Sequence, residues 1–220
     1  MSVWAVLVAA GRGERLGGER PKAFVRLGRL PLLAEPLRRL DESEHVDAVV
    51  VVVPAGWEEP AILLAEELGA SKVGACVAGG TTRADSVRAG VAEVPDDAAV
   101  ILVHDAARPL LPPDVIPRLV AALAEGFDGA VPGVPVSDTV KRVDGGVVAG
   151  TLDRSGLVAV QTPQAFTAAA LRAALARSGD ATDCASLVEA GGGRIRVVDG
   201  DVRLLKVTTE DDLDRVSRWL

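Results

Sequence analysis

The feature that most constrains the fold is a run of five consecutive valines at residues 49–53. A strand with one face in water alternates apolar and polar residues, whereas an unbroken apolar run is expected where helices cover both faces of a parallel sheet. Similar β-branched runs recur and alternate with longer Ala/Leu-rich stretches. The chain is therefore predicted to adopt an α/β, three-layer, doubly wound fold with a mostly parallel sheet.

The predicted elements follow this alternation along the whole chain. The predicted strands cover residues 3–9, 48–53, 73–78, 100–103, 129–131, 157–160, 195–198 and 203–206. The predicted helices cover residues 32–41, 58–68, 83–93, 113–125, 168–176, 182–190 and 209–219. The last helix has an opening signal, because Thr209 suits the N-cap and the acidic residues 210–212 suit the positive first turn.

The alternation breaks at about residues 136–156, where the chain has no helical period. This stretch contains the pair Gly145-Gly146, a single Gly150 and alternating valine, threonine and lysine, which predicts a β-hairpin arm. Such an arm needs a surface to pack on, and a second copy of the chain is the simplest candidate. A surface hairpin without a partner is the alternative. The remaining sequence predicts a single domain over residues 1–220.

Composition excludes several classes of protein. The 220 residues contain no apolar stretch near the ~20 residues that span a bilayer, and Cys76 and Cys184 lack the paired spacing of a metal or disulfide framework. The amino terminus lacks a secretory signal, so a cytoplasmic protein is expected. The net charge of −7 is interspersed along the chain, which argues against a nucleic acid polymer as partner. Small anionic ligands need only a few local cations.

A glycine-rich loop follows the first predicted strand, running from Ala9-Ala10-Gly11 through Gly13 to Gly17-Gly18. Ligands of open α/β sheets gather at the carboxyl ends of strands, so the loop is well placed. Leu16 occupies the third glycine position of the dinucleotide fingerprint, and no Gly-Lys-Ser/Thr follows as in a P-loop. Cations at residues 12, 15, 20 and 22 instead indicate a loop that wraps phosphates, with a plain turn as the alternative.

Several motifs together resemble one enzyme family. The loop continues into Pro21-Lys22, and a later segment runs from His104-Asp105 through Ala106-Ala107 to Arg108-Pro109. Further matching segments occur at residues 79–87, 138–141, 153–154, 161–164 and 206–208. In this order they resemble the sugar nucleotidyltransferases, and among these the 2-C-methyl-D-erythritol 4-phosphate cytidylyltransferases of isoprenoid synthesis. One departure is Ala23, where the family usually has glutamine after Pro-Lys.

The resemblance implies a fold and a reaction. The fold would be the Rossmann-like nucleotide-diphospho-sugar transferase fold with a projecting β-arm that makes a homodimer. The reaction would join CTP and 2-C-methyl-D-erythritol 4-phosphate into 4-diphosphocytidyl-2-C-methyl-D-erythritol and pyrophosphate, in the non-mevalonate route to isoprenoid precursors. The acceptor phosphate would attack the α-phosphorus of CTP in line. Mg²⁺, or another divalent cation in its place, is expected as the cofactor, because triphosphates bind it.

This reaction needs cations more than it needs a base. A phosphate monoester is already anionic near pH 7, and the transition state requires positive charge around its equatorial oxygens. The resemblance implies that Arg15, Lys22, Arg154 and Lys206 are the catalytic cations. Arg154 would grip the acceptor phosphate, and would serve the neighbouring subunit's site if the arm crosses a dimer axis. The predicted strand at 203–206 would place Lys206 at a strand's carboxyl end.

The resemblance also implies the two binding sets. The nucleotide would be held by Ala9, Ala10, Gly11, Gly13, Gly80, Thr81, Ser86 and Ala106. The acceptor would be held by Asp105, Arg108, Thr139, Arg154, Thr162 and Lys206. Asp105 is also the one candidate magnesium ligand, Ser86 has a helix cap as its alternative role, and segment 161–164 has a turn into the next helix. Of the two histidines, His104 is expected to be a hydrogen-bonded structural residue and His45 to be inert.

Other functions stay open at this stage. Ribitol 5-phosphate cytidylyltransferases share the glycine loop, the aspartate motif and the terminal lysine, and only segment 138–164 favours methylerythritol phosphate. A non-catalytic nucleotide-binding homologue should have lost Arg15, Lys22 or Lys206, yet all three are present. A dinucleotide-dependent oxidoreductase is disfavoured by Leu16. A purely structural dimer module would leave the cationic loop unexplained.

Overall fold

The computed structural model describes residues 2–11, 13, 20–177 and 182–220. Its strands are β1 Val3–Val8, β2 Arg26–Leu27, β3 Leu30–Pro31, β4 Ala48–Val53, β5 Val73–Ala78, β6 Val100–Asp105, β7 Gly129–Pro135, β8 Lys141–Asp144, β9 Val147–Thr151, β10 Val158–Val160, β11 Gln164–Thr167 and β12 Ile195–Asp199. Its helices are α1 Ala34–Asp41, α2 Glu58–Leu68, α3 Arg83–Ala92, α4 Val115–Ala124, α5 Ala168–Leu175, α6 Cys184–Glu189 and α7 Glu210–Ser217.

Within these described residues, eight strands form the main sheet. Strands β5, β4, β1 and β6 lie side by side and pair in parallel. Strand β11 lies between β6 and β7 and is antiparallel to both, while β12 pairs in parallel with the other edge of β7. The predicted α/β, mostly parallel sheet is confirmed. No helix in the described part of the chain has the length and apolarity needed to cross a bilayer.

Both faces of the sheet are buried, which explains the valine run. In β4, Val49, Val51 and Val53 face one apolar cluster and Val50 and Val52 face the other. Helices α1, α2 and α4 contribute to the first cluster, and α3, α5 and α6 to the second. Each valine is fully buried, so a polar residue anywhere in the run would lose its hydration without gaining a partner. The three predicted layers are present.

A helical glycine brings α3 close to the sheet. A Cβ added at Gly90 would overlap methyl groups of Val6 on β1 and Val52 on β4. Glycine within a helix costs about 1 kcal/mol relative to alanine, and here the close approach of helix and strands explains its presence. The same approach places the first turn of α3, which begins at Arg83, beside the carboxyl end of the sheet.

Two parts of the main sheet differ from the prediction. The predicted strand at 203–206 is wrong: Asp201 accepts a hydrogen bond from the Arg203 N–H and starts a 3-10 turn, Val202–Leu204. The segment after it is held by a loop contact, in which the Val207 N–H donates to the Ala107 carbonyl. Strand β11 is absent from the sequence prediction, because a four-residue strand directly after Pro163 and directly before α5 has no room to show alternation.

The hairpin of the predicted arm is present as β8 and β9. Gly145 and Gly146 adopt positive φ angles of 53° and 82° at its turn, as a tight hairpin connection requires. Thr139 lies before β8, so the strand alternation predicted for the arm does not include it. The Lys141 ammonium instead donates to the Thr151 hydroxyl across the hairpin at 2.7 Å.

A buried histidine ties β6 to the segment before β11. The His104 Nε2 lies 3.0 Å from the Arg108 carbonyl oxygen, which can only accept, so Nε2 carries the proton. The Thr162 hydroxyl then donates to His104 Nδ1 at 3.1 Å and accepts from the Asp105 N–H at 3.0 Å. Desolvation is the main reason that the pKa of His104 falls from 6.5 to about 4. The ring is therefore neutral and structural, as expected from its sequence position.

The buried histidine predicts how stability depends on pH. Because the folded pKa lies below the unfolded value, the stability contribution of the neutral ring is fully present above pH 6.5 and is lost as the pH falls toward about 4. The loss should amount to about 2–3 kcal/mol between pH 7 and pH 4.5. Denaturant unfolding of His104→Gln should show a shallower acid loss than wild type. Exposed His45 is the matched control, and His45→Gln should keep the wild-type slope. Equal slopes in all three proteins would contradict the assignment.

Candidate active site

A cleft of about 650 Å³ opens at the carboxyl ends of β1 and β6. The chain moves outward from β1 to β4 and β5, then returns to the other side of β1 as β6, and ligands of open α/β sheets bind at such a reversal. Described residues that line the cleft are Val8, Ala9, Ala10, Gly11, Gly13, Lys22, Ala23, Leu32, Gly80, Thr81, Thr82, Arg83, Ser86, Asp105, Ala106, Ala107, Lys206 and Thr208. All eight residues of the predicted nucleotide set are among them.

Glycines shape the walls of this cleft by allowing close backbone approach. Gly13 has a φ of 68°, and a Cβ there would lie 2.6 Å from the Lys22 Cβ. Only glycine adopts that conformation freely and leaves space for the lysine stem. A Cβ at Gly80 would overlap the Cβ of Asp85, so the 79–80 turn packs directly on the first turn of α3. A Cβ at Gly79 would likewise overlap the Cβ of Ala10, so the 79–80 turn packs closely against residues 9–10.

The first turn of α3 is fixed by a capping box. The Thr82 hydroxyl accepts from the Asp85 N–H at 3.1 Å, and the Asp85 carboxylate accepts from the Thr82 N–H at 3.2 Å. Thr82 is thus the N-cap, and the alternative role of Ser86 as a cap is wrong. The Ser86 hydroxyl donates to the Thr82 carbonyl at 3.0 Å and belongs to the cleft lining.

Asp105, at the end of β6, forms ion pairs with two cationic side chains. The Arg83 Nε and Nη2 donate to Asp105 Oδ1 at 3.0 and 2.9 Å, and the Lys206 Nζ donates to Oδ2 at 2.8 Å. Burial alone would raise the pKa of Asp105, but the charges of Arg83 and Lys206 dominate and hold it well below its ordinary value. The carboxylate is therefore ionised and both of its oxygens are occupied.

This arrangement argues against Asp105 as part of a protein-built magnesium site. Mg²⁺ needs several oxygen ligands, and Asp105 offers its two oxygens to an arginine and a lysine. Among the described residues, no group of three or more histidine, cysteine, aspartate or glutamate side chains could hold a metal ion. The hydrogen-bond donors among the described residues suit phosphate oxygens, and a phosphate ligand can bind together with its own cation.

Lys22 begins a 3-10 turn, Lys22–Phe24, that faces the cleft. The turn is anchored by Phe24, whose ring packs on Trp57 with 4.5 Å between centroids. Ala23, the departure from the family pattern, is buried at the same place, where a small apolar side chain joins the core. Arg15 lies outside the described residues.

Lys206 is anchored by its neighbours on both sides. Leu204 and Val207 are fully buried, so the backbone is pinned on either side of the lysine. Asp212 accepts from the Thr208 hydroxyl at 2.6 Å and from the N–H groups of Thr208 and Thr209, which starts α7 as the sequence predicted. Lys206 therefore reaches Asp105 from the loop that precedes α7.

The remaining predicted acceptor residues do not line the cleft. The Arg108 guanidinium donates to the carbonyl of Leu204, and the Thr162 hydroxyl is used by the His104 relay. Thr139 and Arg154 are exposed, next to the hairpin β8–β9. The single chain thus brings together the residues predicted to bind the nucleotide but leaves Arg154 outside that pocket.

Sequence reasoning missed the role of Arg83. The residue belongs to the motif segment 79–87, but the motif alone gives it no function. The sequence does contain a signal for such a role. Arg83 stands four residues after Gly79 at the predicted start of a helix, which places it at the carboxyl edge of the sheet, where ligands bind. Its contact with Asp105, 22 positions further along the chain, is visible only in the structure.

Comparison with known proteins identifies a family for this chain. A family model described as 2-C-methyl-D-erythritol 4-phosphate cytidylyltransferase matches residues 3–220. A protein of that name from Nocardia farcinica is 51% identical over 213 residues, covering 96% of this chain and 91% of the relative. One from Rhodococcus jostii is 50% identical over 214 residues, covering 96% and 92%. The crystal structure of the Thermus thermophilus protein of that name is similar with a TM-score of 0.80 and 32% identity, covering 100% of this chain and 98% of that one.

These similarities extend over the whole chain and agree with the cleft. The nucleotide set, Lys22, Asp105 and Lys206 lie around one pocket at the reversal point of the sheet. The chain belongs to the 2-C-methyl-D-erythritol 4-phosphate cytidylyltransferase family.

Proposed function

We propose that this protein joins CTP and 2-C-methyl-D-erythritol 4-phosphate, releasing pyrophosphate. The observation that carries this is the pocket at the carboxyl ends of β1 and β6, where the backbone of two glycine-containing segments, 9–11 and 80–81, and two lysines of family motifs meet. The product is 4-diphosphocytidyl-2-C-methyl-D-erythritol, a precursor in isoprenoid synthesis.

The chemistry requires two anions to approach each other. The acceptor phosphate attacks the α-phosphorus in line while pyrophosphate leaves, so negative charge builds on the equatorial oxygens. Lys22 and Lys206 enter the cleft from separate loops and can neutralise that charge, together with Arg15. No base is needed, because the attacking phosphate is already ionised. The nearest buried base candidate, His104, is committed to its hydrogen bonds.

The base and the ribose occupy the remainder of the pocket in this proposal. The turn at Gly80-Thr81 and the backbone of Ala9, through its carbonyl, and Ala10 would offer hydrogen-bonding groups to the edge of cytosine, with the Ser86 hydroxyl beside them. Such edge contacts discriminate against uracil because an unpaired buried donor or acceptor is costly. Ala106 lies beside Asp105 at the ribose end.

Mg²⁺ is part of the proposal as the companion of CTP. The cation supplies charge neutralisation on the phosphates. Since the described side chains offer no cage for it, phosphate oxygens and water would be most of its ligands, and other divalent cations could replace it. Lys22 and Lys206 would then hold the phosphates themselves.

The hairpin is proposed to join two copies of the chain in the cytoplasm. Val143, Val147 and Val148 on β8 and β9 are 56%, 71% and 57% exposed, and Leu157 and Val158, further along the chain, are 37% and 40% exposed. An apolar surface of this kind on a monomer is unfavourable and favours burial by a partner. Arg154 lies between the hairpin and β10, so a partner could receive it at its cleft.

Measuring pyrophosphate release with CTP and Mg²⁺ tests the reaction and the acceptor together. Release is expected with 2-C-methyl-D-erythritol 4-phosphate and not with ribitol 5-phosphate offered in parallel. Release with ribitol 5-phosphate alone would keep the mechanism and move the protein to another pathway. No release with either acceptor would favour a non-catalytic nucleotide-binding role.

The lysines predict a second result. Lys206→Met should lower kcat by about 10²–10³, because a preorganised charge on the reacting phosphates is lost. Lys72 is the matched control, since its ammonium donates to the Ser43 carbonyl at 2.7 Å on a loop that does not line the cleft. Lys72→Met should keep the wild-type rate. A normal rate for Lys206→Met would remove this lysine from the mechanism.

Sharing of the site between subunits predicts complementation. Arg154→Ala and Lys22→Ala should each be inactive as homodimers. After unfolding and refolding of an equimolar mixture, about half of the dimers are mixed, and each mixed dimer would contain one intact site built from both chains. Recovery to roughly a quarter of wild-type activity per chain is therefore expected. With exchange verified by mass spectrometry, absent recovery would place Arg154 in its own subunit's site.

A further inference from the structure

We propose that Arg83 is a positioning residue that keeps Asp105 paired while Lys206 leaves it for the phosphates of the substrate. The inference rests on the proposed function, because it takes the triphosphate of CTP as the ligand that attracts Lys206. The sequence analysis gives Arg83 no role in the site. In the structure, its contacts with Asp105 differ from those of Lys206.

The two cations on Asp105 are held differently. Arg83 places two nitrogens on Oδ1 and its third, Nη1, donates to the Cys184 Sγ at 3.5 Å, so its fork is tied to α6 as well as to β6. Its side chain is 22% exposed. Lys206 reaches Oδ2 with one ammonium and its side chain is 43% exposed. Arg83 is therefore the fixed partner and Lys206 the exchangeable one.

Release of Lys206 from Asp105 needs this fixed partner. The Asp105 side chain is only 9% exposed, and removal of one member of a buried pair leaves a charge without compensation. Arg83 keeps two hydrogen bonds on Asp105 after the lysine has gone, so the carboxylate stays compensated. Without Arg83, Lys206 would be the remaining cation on a buried carboxylate, and the phosphates would have to compete for it.

The position of the Arg83 side chain also depends on Cys184 and Gln164. The Gln164 side-chain oxygen accepts from the N–H groups of Cys184 and Ala185, and its nitrogen donates to the Asp183 carboxylate at 2.8 Å. The start of α6 is thereby fixed to β11, which places the Cys184 sulfur beside Arg83. The arginine fork is thus restrained from two elements of the fold.

Binding of inorganic triphosphate, with Mg²⁺ present, isolates the effect from the ribose and the acceptor. Calorimetry should show that Arg83→Gln raises Kd roughly tenfold, because Lys206 is retained by Asp105. Asp105→Asn alone should change Kd by less than about threefold, whereas the same change in the Arg83→Gln protein should restore most of the tenfold loss. This dependence of the Asp105→Asn effect on the residue at position 83 is expected if Asp105 and triphosphate compete for Lys206. A uniform change in the electric field of the cleft would give the same effect in both backgrounds.

The matched control is Arg88→Gln on the same helix. This substitution also removes an ion pair, here with Asp85 at 2.9 Å. Because Arg88 does not line the cleft, the Kd of the Arg88→Gln protein for triphosphate should match wild type. If Arg83→Gln does not fold, Arg83→Lys, which keeps the charge without the fork, replaces it in the same cycle with a smaller coupling of the same sign.

A spectroscopic readout follows Lys206 directly. The chain has four lysines, so the Lys206 ammonium resonance can be assigned by comparison with Lys206→Met. In wild type it should shift when triphosphate binds, and in Arg83→Gln the shift should need roughly tenfold more triphosphate.

The outcomes separate the inference from the proposed function. An unchanged Kd in Arg83→Gln, or equal effects of Asp105→Asn in both backgrounds, would overturn the positioning role while leaving the reaction intact. Wild-type triphosphate binding by Lys206→Met would instead remove the lysine–phosphate contact on which the proposed function depends.

Discussion

The parallel pairing of β1 with β6 is the constraint on which the site depends. Val8 stands opposite Asp105 in the register, so the glycine loop after β1 and the carboxylate at the end of β6 emerge at the same height. Burial of both sheet faces fixes that register, because a shift of one residue would exchange the two sets of apolar side chains. The position of Asp105 relative to Ala9 and Ala10 is thus determined by the core.

Other elements bring cations to that edge. Close packing of α3 at Gly90 directs the helix start, with Arg83, toward Asp105, while buried Val207 holds the terminal segment that carries Lys206. The capping residues Thr82 and Asp212 fix the two backbone turns involved. Apolar packing and helix caps therefore place Arg83 and Lys206 at the two oxygens of Asp105.

The sequence predicted what depends on local pattern. The valine run predicted a buried parallel sheet, the Gly145-Gly146 pair a hairpin turn, and Thr209 the start of α7, since each depends on neighbours within a few residues. Strand β11 was missed because its four residues are strand only through pairing with β6 and β7. The contact of Arg83 with Asp105 and the hydrogen bond of Thr162 to His104 are long-range contacts, and no local pattern encodes them. The family motifs named most of the cleft, but they did not indicate which cation is fixed and which is exchangeable.

The net charge of the protein has the same sign as the charge of its proposed ligands. The resulting repulsion is small because interactions between exposed charges weaken with distance. The chain carries a net charge of −7, and both substrates of the proposed reaction are anions. At physiological ionic strength exposed charges are screened beyond about 8 Å, so scattered surface carboxylates contribute little within the cleft. Charges in contact at about 3 Å and removed from water interact far more strongly. The few cations around Asp105 therefore set the local potential, and a single buried carboxylate that restrains one of them can control when that cation becomes available.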